Sequence, residues 1–414
     1  MHLTTGEVIR RIRKSTGMTQ TELGAILGYT QPVISQLEHG GAGVHDVRVL
    51  RRVAKALHVP LAILVVESDE EADVNRRNFL RASALGAGTA ITTGAAGEAM
   101  AAASSPATIR IGSTDVAAIT ASTNQIHELD LIVGGDRLCR VAASQVQYVQ
   151  QLLDNGTYSD AVGHGLTSAA AEMMTAAGWV HYDAGHLHQA RQYYAEAAQT
   201  ATSAGDDVAA AHALLNASMM SFQGGFSPSK PSKDARPRAG VNLADAAQTA
   251  ARREGGPKLR ALGAMYEAGA QSAAGDASAM VAAISRAHRV YESGRGHDPD
   301  WVYLPPAALA GMAGWAYMRI GDHTKATMHL QAAVDGTALW PRENVGWRIK
   351  LAENHIQGGE IAEGCQLLID HIDQLNSALS TRLRATLDGI VEAVRPHATV
   401  PEVREFLGRQ AEMV

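Results

Sequence analysis

The sequence predicts an all-α protein of at least two domains, a small five-helix unit followed by a long body of helical repeats. Three observations carry that expectation. The chain has 414 residues, beyond the size at which one core stops growing. Aromatic residues are sparse at 5%, while alanine and glycine abound, a composition suited to closely packed small-residue helices rather than to a β-rich core. Short Ala/Gly motifs then recur through the C-terminal part of the chain with helical spacing.

Charge is unevenly shared. Residues 1–66 hold eight Lys/Arg (Arg10, Arg11, Arg13, Lys14, Arg48, Arg51, Arg52, Lys55) against four acids (Glu7, Glu22, Glu38, Asp46). That segment is therefore +4 within a chain of net charge −6, which leaves −10 for the rest. A basic head on an acidic body confines any nucleic-acid contact to the head. The two cysteines, Cys139 and Cys365, have no ligand spacing, which argues against a disulfide framework and for a reducing compartment.

The head is punctuated as five short helices. The first runs from about Gly6 to Ser15 with Ile9 and Ile12 inward, and Gly17 ends it. Thr19-Gln-Thr-Glu22 is a capping box for the second helix, whose core positions are Leu23 and Leu27. Gly28-Tyr29-Thr30 makes a turn, with Thr30 at the N-cap of a third helix that tolerates Pro32 in its first turn. Ile34 and Leu37 face inward, and Gly40-Gly41 releases the chain. A fourth helix follows around Asp46–Leu57, with Leu50, Val53 and Leu57 at helical spacing, and a last turn over Pro60–Val66 closes the core.

This stretch resembles the lambda-repressor/Cro-like helix-turn-helix family, often called XRE. The likeness spans about sixty residues and rests on Gln20, Leu23-Gly24, Leu27-Gly28, Ile34-Ser35-x-Leu37-Glu38 and the "AKALHVP" tail. It implies a third helix in the major groove, with Thr30, Gln31, Pro32, Ser35 and Gln36 at the DNA and Gln20 on a phosphate through its side chain or the helix N-terminus. A glutamine amide can pair with adenine in two hydrogen bonds, while Pro32 can only touch a thymine methyl or shape the approach. The resemblance also implies a structural ion pair between Arg13 and Glu38. Two features depart from the pattern: Gly24 stands where alanine is usual, and "HGGAGVH" after Glu38 lacks the usual basic residues, a loss that Arg48, Arg51 and Arg52 are placed to offset.

Residues 67–123 are expected to be a linker. An acidic run, "ESDEEAD", precedes "NRRNFLRASALGAGTAITTGAAGEAMAAASSPA", which has the form of a twin-arginine export signal around Arg76-Arg77. Its position behind a folded domain and its shortage of large aliphatic residues argue for a tether in a cytoplasmic protein.

The body, residues 124–414, reads as helix pairs. In "AGMAGWAYMRIGDHTKATMHLQAAV", Gly314 and Tyr317 lie on one helix, Gly321 in the turn, and Ala326, Leu330 and Ala333 on the next. Gly178, Gly185, Ala190, Tyr194 and Ala197 fit the same frame, as do Ala352, Gly359, Gly364 and Leu368. The unit resembles the tetratricopeptide (TPR) repeat. Turn glycines at 185, 225, 275, 321 and 359 are separated by 40, 50, 46 and 38 residues, all above the 34 of a regular array. "GGFSPSKPSKDARPRAG" (224–240) reads as a loop insertion. The TPR frame implies a TPR-like α-solenoid whose inner helices carry Trp179, Tyr182, Asn216, Trp315, Met318 and Ile356 towards a concave face that suits a peptide or partner helix.

No chemistry-bearing motif competes. Seventeen histidines, densest at His181, His186 and His188, come without H-E-x-x-H or a Cys/His quartet, "IVGGDR" lacks the ending of a phosphate loop, and no nucleophile elbow occurs. The expectation is therefore a non-enzymatic, sequence-specific transcriptional regulator without cofactor or metal. It would bind double-stranded DNA as a homodimer away from membranes, and its body would sense a signalling peptide, a small molecule or a protein partner. The rival expectation is an interaction adaptor whose body recruits protein partners while the head tethers it to DNA.

Overall fold

The computed structural model describes residues 4–59, 61–64, 109–223 and 234–411, apart from positions 295, 300, 303, 339 and 379. The chain falls into two compact units, one of Thr4–Asp115 with Gln147–Gly163, the other of Val116–Val146 with His164–Val414. Arg76-Arg77, the acidic run before it and turn Gly225 lie outside the described residues.

In the first unit the head forms α1 (Thr5–Ser15), α2 (Gln20–Leu27), α3 (Gln31–Glu38), α4 (Val47–Ala56) and α5 (Leu61–Leu64), with a 3-10 turn at Ala42–His45. Each boundary has a local cause. The Thr19/Glu22 capping box is formed, and Gly17, Gly28 and Gly40 take φ of 72°, 71° and 85°, the left-handed values that end helices. A second capping box, Thr4 with Glu7, opens α1. Ile9, Ile12, Leu23, Leu27, Ile34, Leu37, Leu50, Val53 and Leu57 are all buried, joined by Val8, Ile63 and Leu64. Gly6 is required by a close approach: a Cβ there would stand 2.6 Å from the Glu38 carbonyl oxygen and 2.7 Å from that of Leu37. Also in this unit, β1 (Ile109–Arg110) pairs parallel with β2 (Gly156–Thr157), a single short ladder in an otherwise helical chain among the described residues.

The remaining helices are α6 (Ser113–Val133), which runs through residue 124, α7 (Gly135–Asn155), α8 (Asp160–Asp183), α9 (Leu187–Ala204) and α10 (Asp207–Gln223). Beyond residue 233 come α11 (Pro237–Glu254), α12 (Pro257–Ala274), α13 (Ala277–Ser293), α14 (Pro306–Arg319), α15 (His323–Gly336) and α16 (Pro341–Gln357). The chain closes with α17 (Ile361–Asp370), α18 (Ile372–Ala378), α19 (Thr381–Val394) and α20 (Pro401–Ala411). The stretch read as a loop over 224–240 is thus already helical from Pro237, which sits in the first turn of α11 where its missing N–H costs nothing.

From α9 to α13, and again from α14 to α17, each helix packs on its successor, and α10, α12, α14 and α16 also pack on one another in order. This skipping contact builds an inner row of alternate helices backed by an outer row, the layering of a TPR-like α-solenoid. Small residues make it possible. A Cβ on Gly178 would meet the Tyr194 ring at 2.5 Å, and one on Gly314 would meet Leu330 at 2.8 Å. Turn glycines 185, 275, 321 and 359 have φ of 84°, 81°, 80° and 91°. Ala190, Tyr194, Ala197, Ala326, Leu330, Ala333, Ala352 and Leu368 are buried as the repeat frame requires.

Candidate functional site

The head presents α2, a turn and α3. The turn is tight because Gly28 leaves α2 left-handed and the Tyr29 amide donates back to the Gly24 carbonyl at 2.8 Å. Thr30 occupies the N-cap of α3, yet its side chain makes no capping hydrogen bond. Burial of Ile34 and Leu37 fixes the rotation of α3 about its axis, so Gln31, Pro32, Val33 and Gln36 are exposed and Ser35 is half-buried. Val33, 42% exposed, escaped the sequence reading; it sets an apolar side chain on the same exposed stretch as Gln31 and Gln36.

Beneath that face lies a polar relay. Arg13 donates from Nε and Nη2 to both Glu38 carboxylate oxygens, at 2.5 and 3.0 Å, and from Nη1 to the Met18 carbonyl at 2.6 Å. Gln20 Nε2 donates to Glu38 Oε2 at 2.8 Å, and Gln31 Nε2 donates to Gln20 Oε1. A buried ion pair therefore orients Gln20, and Gln20 orients Gln31. Burial pushes the Glu38 carboxyl up, but the hydrogen bonds from Arg13 and Gln20 and the charges of Arg13 and Arg10 outweigh it and hold the group below its usual range. Arg52, expected to offset the missing basic loop, has a different position. It donates to the Leu27 carbonyl and, at 3.2 Å, to the Tyr29 hydroxyl, with its guanidinium 5.0 Å from the Tyr29 ring centroid. It props the turn.

In the second unit the structure brings together Trp179, Tyr182 and Trp315, in one apolar cluster with Phe222 and Tyr266. These five come from α8, α10, α12 and α14. Trp179 donates from Nε1 to Asp130 Oδ2 at 2.8 Å, and the Tyr182 hydroxyl donates to Gln223. Burial pushes the Tyr182 phenol up to about 12, against the pull of Arg382. Asn216 stands apart: its Nδ2 donates to the His212 carbonyl of its own helix at 3.0 Å. Met318 belongs to the apolar core, and Ile356 packs against the C-terminal cluster.

Next to the aromatic cluster is a buried network that no local motif announces. Asp183 accepts from the Gly135 amide, Ser380 Oγ and Arg382 Nε, each at 3.0 Å, and from Arg342 Nη2. Arg342 also donates to the Asp130 carbonyl, and its Nη1 lies 3.2 Å from Asp130 Oδ1. Burial raises the Asp183 carboxyl, but Arg342 and Arg382 overcome it and keep the group ionised; Asp130, buried beside that negative charge, is raised. The network fastens the start of the body (α6, α7, α8) to its end (α16, α19).

Two further polar clusters lie in the same unit. His212 Nδ1 lies 2.9 Å from Glu172 Oε2 and its ring stacks on Trp301 with centroids 4.2 Å apart, while the half-buried His127 is 6.3 Å away, ring to ring. Burial, then the neighbouring His212, lowers His127 to about 3. Cys139 Sγ and the rings of His181 and His186 offer atoms within 4.8 Å of one another, a grouping hidden from sequence spacing. Its chemistry is that of a packed thiol: burial pushes Cys139 up to about 12 and Sγ donates to the Gly135 and Val180 carbonyls, while His181 Nδ1 donates to the Ala177 carbonyl.

Residues 9–64 match the family described as Helix-turn-helix. No curated protein matches the chain. Among solved structures it is similar to "Crystal Structure of Rap Protein Complexed with Competence and Sporulation Factor", at 10% identity and a TM-score of 0.44, covering 73% of this chain and 89% of that one. The head is thus a helix-turn-helix domain of the DNA-binding XRE type, and it precedes a TPR-like helical-repeat body.

Proposed function

We propose that this protein is a sequence-specific transcriptional regulator of the cytoplasm that binds its operator as a homodimer and senses a peptide or small-molecule signal through its repeat body. The observation that carries the reading is the relay from Arg13 and Glu38 through Gln20 to Gln31, which prearranges a base-reading amide on an exposed helix face. In this reading Gln31 and Gln36 contact base edges and Thr30 and Ser35 flank them. Pro32 and Val33 meet thymine methyls. Because the Gln20 side chain is spent on Glu38 and Gln31, its phosphate contact falls to the first-turn amides of α2. A head of only +4 makes few phosphate contacts, which favours two heads on paired half-sites. A signal in the body alters DNA affinity only by binding the DNA-competent arrangement differently from the incompetent one.

Genome-wide mapping of DNA bound by the tagged chain supplies the operator, and titrations then compare operator with scrambled duplex. Each lost two-point glutamine contact costs about 1–3 kcal/mol of discrimination. Gln31→Ala and Gln36→Ala should each lower the operator preference about tenfold, within that range. Undiminished preference in both variants would end the reading.

A further inference from the structure

The geometry points to a receptor site on the inner row of the body, centred on Arg319, for an anionic oxygen group, a carboxylate or phosphate, carried next to an apolar or aromatic moiety. The inference rests on the proposed sensing role of the body and is independent of how the head reads DNA. Arg319 ends α14, lies deep in the unit and keeps some access to water. Its guanidinium stacks 4.4 Å from the Trp315 ring centroid and 5.2 Å from that of Phe222. No carboxylate among the described residues forms an ion pair with it.

The acids nearby are committed elsewhere. Glu353, whose charge reaches Arg319 at longer range, is held by Lys350 Nζ at 2.8 Å and Gln357 Nε2 at 3.0 Å. Asp183 serves Arg342, Arg382, Ser380 and the Gly135 amide, and Asp130 serves Trp179 and Arg342. A second guanidinium, Arg382, lies 5.9 Å from the Trp179 ring centroid and is only partly buried. The charges of both arginines reach the Tyr182 phenol. Burial lowers Arg319 to about 10, the mark of a cation that Glu353 and the rings compensate incompletely.

A buried cation without a counter-ion is unfavourable, and a guanidinium fork meets carboxylate or phosphate with two parallel hydrogen bonds. The surrounding rings offer contact area for the apolar part of the same molecule. The missing partner of Arg319 is thus an anion brought by a ligand.

Full-length protein would be titrated with phenylacetate, phenyl phosphate and neutral benzyl alcohol, following tryptophan fluorescence and thermal unfolding, with operator titrations on the same samples. Saturable binding of an anionic probe is expected, with benzyl alcohol at least tenfold weaker. The tighter of the two anions identifies carboxylate or phosphate as the group recognised. Arg319→Met should weaken the anion at least tenfold while the unliganded Tm stays level or rises, because an uncompensated charge has been removed. Arg319→Lys, which keeps the charge and loses the fork, should fall between. Absence of saturable binding by both anions, or equal binding by wild type and both variants, would overturn the inference. A Tm that falls in Arg319→Met, with anion affinity kept in Arg319→Lys, would also do so by making Arg319 a structural residue. Loss of operator preference in the wild type would sink the reading of the head and leave this site standing.

Discussion

Replacing Glu38 by alanine tests the relay at its anchor. In the wild type the Glu38 side chain is fully buried, and that of Arg13 is 8% exposed. Glu38→Ala removes the acceptor of two Arg13 donors and of Gln20 Nε2 while Arg13 remains charged inside the head. Removing one partner of such a pair costs about 3–5 kcal/mol, because the other is left uncompensated. A domain of this size holds roughly 3–9 kcal/mol in total at the usual stability per residue. The variant head should therefore lose at least about a third of its stability, and unfold outright if its total lies at the low end of that range, while the body is intact. Hydrogen exchange read by mass spectrometry separates the two in the full chain: amides of α1–α3 should lose most of their protection, and those of α12–α16 should keep theirs. The double variant Arg13→Met/Glu38→Met removes both charges at similar volume and should recover most of the head's protection. It should not recover full operator preference, since Gln20 has lost the carboxylate that positions it for Gln31. Wild-type protection in Glu38→Ala, or a double variant no better than the single one, would refute the argument.

Three further outcomes follow from the geometry. Gly6→Ala gains up to about 1 kcal/mol of helix propensity but drives a Cβ into the Glu38 and Leu37 carbonyls, so head protection should fall; a rise would show that α1 can shift at no cost. His127 is held neutral at about 3 in the fold against an ordinary value of 6.5, so its contribution is complete above pH 6.5 and is lost as pH falls towards 3, to a limit on the order of 5 kcal/mol. His127→Phe should flatten the stability of the body over that interval, measured by urea unfolding at stepped pH, and an unchanged slope would count against the assignment. Asp183→Asn leaves Arg342 and Arg382 short of a counter-charge and should lower body stability by about 3–5 kcal/mol, read as a loss of thermal stability with operator preference kept.

What could be read from the residues alone was whatever chemistry closes over short distances. The Thr19/Glu22 box, the left-handed glycines and the spacing of Ile34 with Leu37 are decided within a turn or two of helix, and the structure has each where the sequence put it. Helix pairing in the body was legible for a related reason: Gly178 and Gly314 advertise contacts with Tyr194 and Leu330, only 16 residues further along in both cases. The Asp183 network spans 159 residues to Arg342 and 199 to Arg382, and nothing local distinguishes those arginines from solvated ones. Arg319 was hidden differently. At the last turn of a helix a basic residue already has a sufficient local reason, the helix dipole, so its stacking on Phe222 from another repeat adds no signal to the sequence. Arg52 shows the converse: it reads as a phosphate ligand because it is basic and close to the motif, yet Tyr29 and the Leu27 carbonyl take it first. In both cases the cation's role follows from which carboxylate, carbonyl or ring reaches it, and that is settled by tertiary packing. In the head the nearest acceptors belong to the turn, so Arg52 stiffens the motif. On the inner row the nearest carboxylates are already paired, so Arg319 keeps a charge that an incoming ligand can answer.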